Sequence, residues 1–216
     1  MKLLFLRRSG CGHSDRAESF LRLVFDEVRT VESSGPGAAL GADVLAWDFD
    51  AIFAFRSHII LRADALDKAK ISLNFHPGPP ERPGTGCVNF ALLEGDERYG
   101  STCHYMDVGI DSGPIVDVRY FDVQPADDVA SVLSRTYDYM LCQLYDVANA
   151  VARGNRPEPL PVTWARKATR KRDMDRLREV TPDTPAAELE KRIRATSFGR
   201  YRPYLLLHGR RFILEE

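Results

Sequence analysis

The chain has 216 residues, 44% of them hydrophobic, which is enough for one compact domain with a small addition. Its 30 basic and 31 acidic residues give a formal net charge of −1, so the composition does not indicate binding to nucleic acid or membranes through overall charge. No apolar run reaches the roughly 18 residues of a membrane span. The apolar stretch at residues 3–6 is closed by Arg7 and Arg8, unlike a secretion signal, so the cytoplasm is the expected compartment.

The first third of the chain alternates between strand and helix patterns. Residues 1–6 predict a buried strand, and apolar residues at helical spacing from Ala17 to Val28 predict a helix that Ser14 or Asp15 caps. Residues 33–41 are rich in glycine, serine and proline, which is typical of a loop. The next predicted elements are a strand at residues 50–55, a short helix at 63–70 and a strand at 71–76.

The middle of the chain continues the pattern after Pro77, which ends the strand at residues 71–76. Residues 87–93 suit a helix, and a turn-rich link at 109–114 joins two β-prone runs. A long helix is predicted from residue 127 to about 152, ended by Gly154 and the residues after it. The two β-prone runs are residues 101–106 and 115–123.

The last 60 residues differ in composition from the rest. Residues 165–178 carry a local basic excess, residues 185–196 predict a helix, and residues 204–207 and 211–214 predict a hairpin that turns at His208 and Gly209. The alternation that precedes them predicts an α/β fold with a Rossmann-like, mainly parallel sheet. We therefore expect a main domain at residues 1–155 and a small C-terminal appendage, a helix plus a β-hairpin, at 156–216.

The most polar strand end is the best candidate for a site, because ligands of open α/β sheets bind at the carboxyl ends of strands. Asn74 and His76 lie there, two residues apart and hence on one face, roughly 7 Å from each other. An amide and an imidazole so placed can polarise a carbonyl group and stabilise an oxyanion. The same pair also fits a structural role in which His76 caps backbone carbonyls.

Two further segments are candidates. The loop at residues 107–114 holds Asp107, Asp111 and two glycines, which fits a metal site, a helix cap, a group that orients a histidine, or a tight turn whose aspartates bond to their own backbone. Residues 52–60 run from a buried strand into Arg56 and His58, which fits either the wall of a pocket for a flat ligand or core followed by a turn. The four cysteines are widely spaced, so neither a zinc site nor a disulfide framework is predicted.

These segments, in this order, resemble the formyltransferase family that uses 10-formyltetrahydrofolate. Residues 74–77 match its Asn-x-His-Pro strand end, residues 100–107 match its Gly-x-Thr-x-His strand, and residues 111–114 match its Asp-x-Gly-Pro loop. His76 and Asp111 are 35 residues apart, and the resemblance covers residues 45–125 best. It implies the formyltransferase fold for residues 1–155.

The resemblance also implies a mechanism. A neutral amine attacks the formyl carbon, Asn74 and a protonated His76 steady the oxyanion, and Asp111 holds His76 and helps to remove the amine proton, directly or through water. 10-Formyltetrahydrofolate is the implied co-substrate, and no metal is required. The residues expected to bind this co-substrate are Phe53, Phe55, Arg56, His58, Ile59, Asp107 and Gly109.

Within the family, residues 76–81 (His-Pro-Gly-Pro-Pro-Glu) and the short hairpin resemble sugar N-formyltransferases, including those of the pseudaminic-acid pathway. This implies a small-molecule substrate, a nucleotide-linked amino sugar, and a homodimer, without nucleic-acid or membrane partners. The basic residues Arg166, Lys167 and Arg170 are candidates for holding a diphosphate.

Other branches stay open as alternatives. Methionyl-tRNA formyltransferases share the motifs but carry a longer C-terminal barrel, and glycinamide ribonucleotide formyltransferases have a Gly-x-Gly-Ser-Asn loop where this chain has residues 10–14, Gly-Cys-Gly-His-Ser. A folate-binding module without catalysis is a further alternative, although a pure binder has no need of all three polar residues. Hydrolysis of the formyl group would use the same trio.

Overall fold

The main sheet has six strands. In the computed structural model, which describes residues 1–199 and 201–215, these strands lie in the order β2-β1-β3-β4-β5-β6. The first four strands of the chain are parallel to each other, β5 runs antiparallel to β4, and β6 runs antiparallel to β5. The strands are β1 (Lys2–Arg8), β2 (Glu27–Ser33), β3 (Ala51–Phe55), β4 (Ile71–His76), β5 (Arg98–Tyr105) and β6 (Ile115–Asp122).

Helices cover both faces of this sheet, so alternate residues of one strand enter different cores. Leu3 and Phe5 of β1 pack with Leu21 and Leu144, while Leu4 of the same strand joins a second cluster. A parallel strand buried on both faces reads as a continuous apolar run, which explains the opening sequence. The helices are α1 (Gly12–Val24), α2 (Ala42–Ala46), α3 (Ala63–Leu66), α4 (Cys87–Glu94) and α5 (Val129–Ala152).

The longest helix, α5, begins with a reciprocal cap. The Asp128 carboxylate accepts from the Ser131 N–H, and the Ser131 hydroxyl accepts from the Asp128 N–H. Such a cap contributes about 1 kcal/mol. The buried side of α5, including Met140 and Leu144, then packs with the side chains of β1, β3 and β4.

The C-terminal part forms a second, three-stranded sheet in the order β7-β8-β9, with β7 (Glu179–Val180), β8 (Tyr204–Leu207) and β9 (Arg210–Ile213). Two helices accompany it, α6 (Lys171–Leu177) and α7 (Ala186–Thr196). Leu177 and Ala195 share a hydrophobic cluster with α4, β5 and α5. Among the helices described, none is long and apolar enough to cross a membrane.

The predicted fold class is confirmed: a mostly parallel α/β sheet carries a small C-terminal appendage. Two local predictions are wrong. Val28 lies in β2 and not on the first helix, because Phe25 is extended and parallel pairing with β1 takes over from Glu27. Neither Ser14 nor Asp15 caps α1, since Cys11 occupies the N-cap position without a side-chain hydrogen bond. The basic run at residues 165–178 contains α6.

Candidate active site

A cavity of about 470 Å³ lies where the parallel strands end. Its lining includes Arg8 at the end of β1, Arg56 after β3 and His76 at the end of β4. The loop at residues 106–112, between β5 and β6, also contributes to the lining. The position agrees with the rule that open α/β sheets bind ligands at the carboxyl ends of strands.

Strand register brings three polar side chains to one face. Asn74 and His76 are two residues apart on β4, and His104 of the antiparallel β5 is the direct partner of Asn74. Directly opposite residues of an antiparallel pair point to the same side of the sheet. The Asn74 Nδ2 atom lies 3.0 Å from His104 Nε2.

The Asp111 carboxylate joins these side chains. Its Oδ2 atom lies 3.1 Å from His76 Nδ1, and its Oδ1 atom lies 3.3 Å from Asn74 Nδ2 and 3.4 Å from His104 Nε2. The Gly84 N–H also donates to Oδ2 at 2.8 Å. The structure therefore brings Asn74, His76 and Asp111 together, although Asp111 is distant from the other two along the chain.

The loop that carries Asp111 is held in an unusual backbone conformation. Asp111 has a φ of 45°, in the left-handed region, which costs about 1–3 kcal/mol for a residue other than glycine. Gly113 is required nearby, because a Cβ atom there would lie 1.9 Å from the Tyr105 carbonyl oxygen. Earlier in the loop, Asp107 accepts from the Gly109 N–H and the Ser112 hydroxyl, which closes the turn. The loop aims the Asp111 carboxylate inward.

Both ring nitrogens of His76 face acceptors. Nδ1 faces the Asp111 carboxylate, and Nε2 lies 2.9 Å from the Arg82 carbonyl oxygen. Since neither partner can donate, both nitrogens must carry hydrogen to satisfy them, which describes an imidazolium. Burial lowers the pKa of His76, but the charge and hydrogen bond of Asp111 and the Arg82 carbonyl raise that pKa above its usual value.

Asp111 shows the matching effect. Burial raises the pKa of this carboxyl group, but the charge of His76 and the contacts with His104 and His76 hold the pKa well below its usual range. Asp111 is therefore ionised wherever the protein is folded near neutral pH. A carboxylate with so low a pKa is a weak base.

Trp164 and His104 are site residues that the sequence reasoning does not assign to the site. The Trp164 ring packs edge-on against His76 and His104, with centroids 5.7 and 5.0 Å away, and its Nε1–H donates to the Gly113 carbonyl. Trp164 comes from the C-terminal appendage, so no local pattern marks it. His104 stands in the matched Gly-x-Thr-x-His segment, and the antiparallel pairing of that strand with β4 is the signal that could have found it.

The predicted co-substrate residues divide into two groups. Arg56, His58, Ile59, Asp107 and Gly109 all line the cavity. Phe53 and Phe55 do not line it, since both are fully buried (0% exposed) and pack with Phe75 in the hydrophobic cluster that includes α1 and α5. Strand alternation is the reason, because Ala54 between them lines the cavity instead.

One side of the cavity is positively charged. Arg8 and Arg56 line it, and among the described residues neither is ion-paired with a carboxylate. Arg56 stacks on Tyr137, 3.6 Å from the ring centroid, and donates to Cys11 Sγ. Burial and the charges of Arg8 and Arg56 lower the pKa of His58 beside them. Unpaired arginines in a cavity are suited to bind an anion.

The basic run of the appendage lies elsewhere. None of Arg166, Lys167 and Arg170 is among the residues that line the cavity, so the structure does not support a diphosphate site there. Arg166 pairs with Glu94 at 3.5 Å, and Lys171 pairs with Asp175. Within residues 1–199 and 201–215, no cluster of three or more His, Cys, Asp or Glu side chains is arranged to hold a metal ion.

A family model and a curated relative each match more than half of this chain. The family model described as "Formyl transferase" matches residues 32–145, more than half of the chain. The methionyl-tRNA formyltransferase of Halorhodospira halophila is 30% identical over 177 residues, covering 78% of this chain and 54% of that protein. The chain therefore spans about half the length of this curated relative.

Solved structures resemble nearly the whole chain. A sugar N-formyltransferase from Shewanella sp FDAARGOS_354 has a TM-score of 0.83 at 16% identity, covering 100% of this chain and 97% of that one. An N-formyltransferase from Helicobacter canadensis, in complex with folinic acid and dTDP-3-aminofucose, has a TM-score of 0.76 at 14% identity, covering 97% and 85%. At these identities the likeness shows a shared fold.

The pair of His76 and Asp111 predicts a pH window of added stability. Because the pKa of His76 is raised on folding, its contribution is full below the unfolded pKa of about 6.5 and is lost as the pH rises through the folded value. Because the pKa of Asp111 is lowered, its contribution is present above the unfolded pKa of about 3.9 and is lost as the pH falls. The two overlap between about pH 4 and pH 6.5.

Urea unfolding of the protein and of Asp111→Asn, at about pH 5.5 and about pH 9, measures this window. We expect the difference in unfolding free energy to be greater at the lower pH by about 1 kcal/mol or more, since one unit of His76 pKa corresponds to about 1.4 kcal/mol. Groups shared by both proteins cancel in the difference. Equal differences at the two pH values would mean that Asp111 does not keep His76 charged.

Proposed function

The chain belongs to the formyl transferase family, and we propose that it moves a formyl group from 10-formyltetrahydrofolate to the amine of a nucleotide-linked amino sugar. The observation that carries the proposal is the shared carboxylate: Asp111 contacts both Asn74 and His76 at the wall of one cavity. The chain is similar in fold to sugar N-formyltransferases over almost its entire length. One of those structures contains a folate compound and an amino sugar carried on dTDP.

The cavity fits the co-substrate. Ile59, Ile60 and Ile110 line it from the loops after β3 and β5. Apolar side chains from two loops suit a flat heteroaromatic ring. When bound, 10-formyltetrahydrofolate supplies the formyl carbon that the amine attacks.

The trio performs distinct tasks in this proposal. His76 supplies a fixed positive charge beside the formyl oxygen, and its Nε2–H is already engaged with Arg82. Asn74 Nδ2 donates a hydrogen bond to the oxyanion. To do so, it gives up its contact with His104 or with Asp111. Asp111 holds His76 in its charged form, and its low pKa makes water the first acceptor of the amine proton.

The cationic side of the cavity favours an acceptor that carries negative charge. Arg8 and Arg56 face the cavity without carboxylate partners among the described residues. A sugar linked to a nucleoside diphosphate brings phosphate oxygens that arginine binds strongly. The same feature would serve the phosphates of tRNA, and the curated relative is a methionyl-tRNA formyltransferase. We place the sugar first because the match to solved sugar N-formyltransferases extends over both full chains.

Loss of any member of the trio should abolish most of the activity. With 10-formyltetrahydrofolate and nucleotide amino sugars, His76→Ala and Asp111→Asn should each lower turnover by about 100-fold or more, because each removes charge stabilisation at the reacting carbon. Asn74→Ala should act similarly. The assay follows tetrahydrofolate release together with a mass gain of one carbonyl on the sugar.

Two matched variants control for general damage. Asp146→Asn changes an exposed aspartate, and His208→Asn changes an exposed histidine in a hairpin turn where asparagine tolerates the left-handed backbone. Both should keep near-normal turnover. Normal rates in His76→Ala and Asp111→Asn would refute the mechanism, release of formate without an amine would indicate hydrolysis, and binding of folate without turnover would indicate a binding module.

Arg8 should matter for the acceptor and not for the folate. Arg8→Ala should weaken the apparent affinity for a nucleotide amino sugar, seen as a rise in its KM by about 10-fold, since a charge-assisted hydrogen bond contributes about 1.5–3 kcal/mol. The KM for the folate co-substrate should change by less than about two-fold. Arg172→Ala, an exposed arginine of the basic run, is the control and should change neither constant. An unchanged acceptor KM in Arg8→Ala would contradict the anionic subsite.

We also propose that the protein is a cytoplasmic homodimer. The exposed C-terminal hairpin supports the dimer: Leu206, Leu207, Phe212 and Ile213 are 39, 40, 53 and 61% exposed, and β9 pairs only with β8 among the strands described. An open strand edge with apolar side chains is a ready surface for association. Light scattering should give twice the 24.4 kDa chain mass, and Phe212→Asp should give monomers. A monomeric parent protein would contradict the dimer.

A further inference from the structure

A proline-rich loop at residues 77–84 wraps around His76 and reaches Asp111. The Arg82 carbonyl accepts from His76 Nε2 at 2.9 Å, and the Gly84 N–H donates to Asp111 Oδ2 at 2.8 Å. The two partners of the charged pair are thus held by main-chain groups that are two residues apart. The fit is close, because a Cβ atom on Gly78 would lie 2.7 Å from His76 Nε2.

The Arg82 side chain anchors this loop to the end of α4 and the turn that follows it. Its guanidinium is 4% exposed and binds Asp96 through two hydrogen bonds of 2.7 and 2.5 Å, with Glu94 at 2.7 Å from Nη1. Glu94 is the last residue of α4, and Asp96 lies two residues before β5 begins. The planar fork of an arginine on a carboxylate fixes direction as well as distance.

The sequence around Arg82 transmits this anchor to the carbonyl. Pro79, Pro80 and Pro83 have restricted φ angles, and a residue that precedes proline, as Arg82 does, is confined to extended conformations. The direction of the Arg82 carbonyl is therefore tied to the position of its own side chain. The loop is fastened further where the Thr102 hydroxyl donates to the Gly78 carbonyl and the Ala165 N–H donates to the Pro80 carbonyl.

We propose that Arg82 is a positioning residue for His76: its ion pairs with Asp96 and Glu94 hold its carbonyl against His76 Nε2 and the Gly84 N–H against Asp111. The carbonyl thereby keeps the second ring nitrogen protonated. The effect of Arg82 on turnover rests on the proposed function. The effect of Arg82 on the protonation of His76 does not depend on which reaction the protein catalyses.

The other titratable groups around His76 do not replace this effect. Asp111 contacts His76 directly, His104 contacts the same carboxylate, and Trp164 from the appendage carries no charge. Cys87 of α4 and Tyr99 of β5 both donate to the Pro77 carbonyl. Burial raises the pKa of Cys87 to about 11 and that of Tyr99 well above its usual value, so both are neutral near pH 7.

The direct test is the titration of His76 by NMR, using ¹³Cε1-labelled histidine in the full chain. Arg82→Leu removes the anchor and should lower the pKa of His76 by about half a unit or more, because Nε2 loses its fixed acceptor. Arg82→Lys, which keeps one ion pair, should restore part of the shift. Arg166→Leu is the matched control, since Arg166 pairs with the same Glu94 and does not touch His76. It should leave the pKa of His76 unchanged.

The kinetic readout separates positioning from simple structural support. Arg82→Leu should lower kcat by about 10-fold and move the alkaline limb of its pH profile to lower pH, with both KM values within about two-fold. Asp96→Asn should produce the same shifts in weaker form, and it serves if Arg82→Leu fails to fold. A folded variant with an unshifted His76 titration, or an equal shift in Arg166→Leu, would overturn the inference. A shifted titration in a protein without formyl transfer would uphold it and refute the proposed function.

Discussion

The buried carboxylate of Asp111 is the interaction on which the site depends. A buried charge costs several kcal/mol unless it is paired and hydrogen-bonded. Here Asp111 receives the Gly84 N–H, the Asn74 amide and the His76 imidazole, with His104 close by. These partners come from β4, β5 and the loop that follows β4, while Asp111 lies in the loop between β5 and β6. The charge is therefore satisfied only when β4 and β5 are paired and both of these loops are in place. Folding and assembly of the site are therefore the same event.

Parts of this arrangement follow from the sequence. The period-two geometry of a strand predicts that Asn74 and His76 share a face, and the structure shows both in contact with one carboxylate. The alternation of elements predicts the mainly parallel sheet. Other parts depend on contacts between distant residues. Phe53 and Phe55 have the aromatic character expected of a ligand pocket, but their side chains pack in the hydrophobic cluster with α1 and α5, while Ala54 of the same strand lines the cavity.

The errors share one physical cause, namely that tertiary pairing overrides local pattern. Glu27–Ser33 alternates weakly and carries charges, and its pairing with β1 makes it a strand. Trp164 lies 53 residues after Asp111 with no motif around it, and it reaches the site because the segment after α5 returns across the loop that begins at Pro77. Arg82 reads as a surface charge in a proline-rich loop, and its burial depends on Glu94 and Asp96 meeting it at the end of α4.

The central claim is that Asn74 and Asp111 meet the reacting formyl group inside this cavity. A crystal structure of the protein with folinic acid, a stable formyl-folate, tests it most directly. The account predicts that the pterin lies between the loops after β3 and β5, with the formyl oxygen at a hydrogen-bond distance of about 3 Å from Asn74 Nδ2. A folate bound outside the cavity, or a formyl group separated from both Asn74 and Asp111 by more than one water molecule, would contradict it.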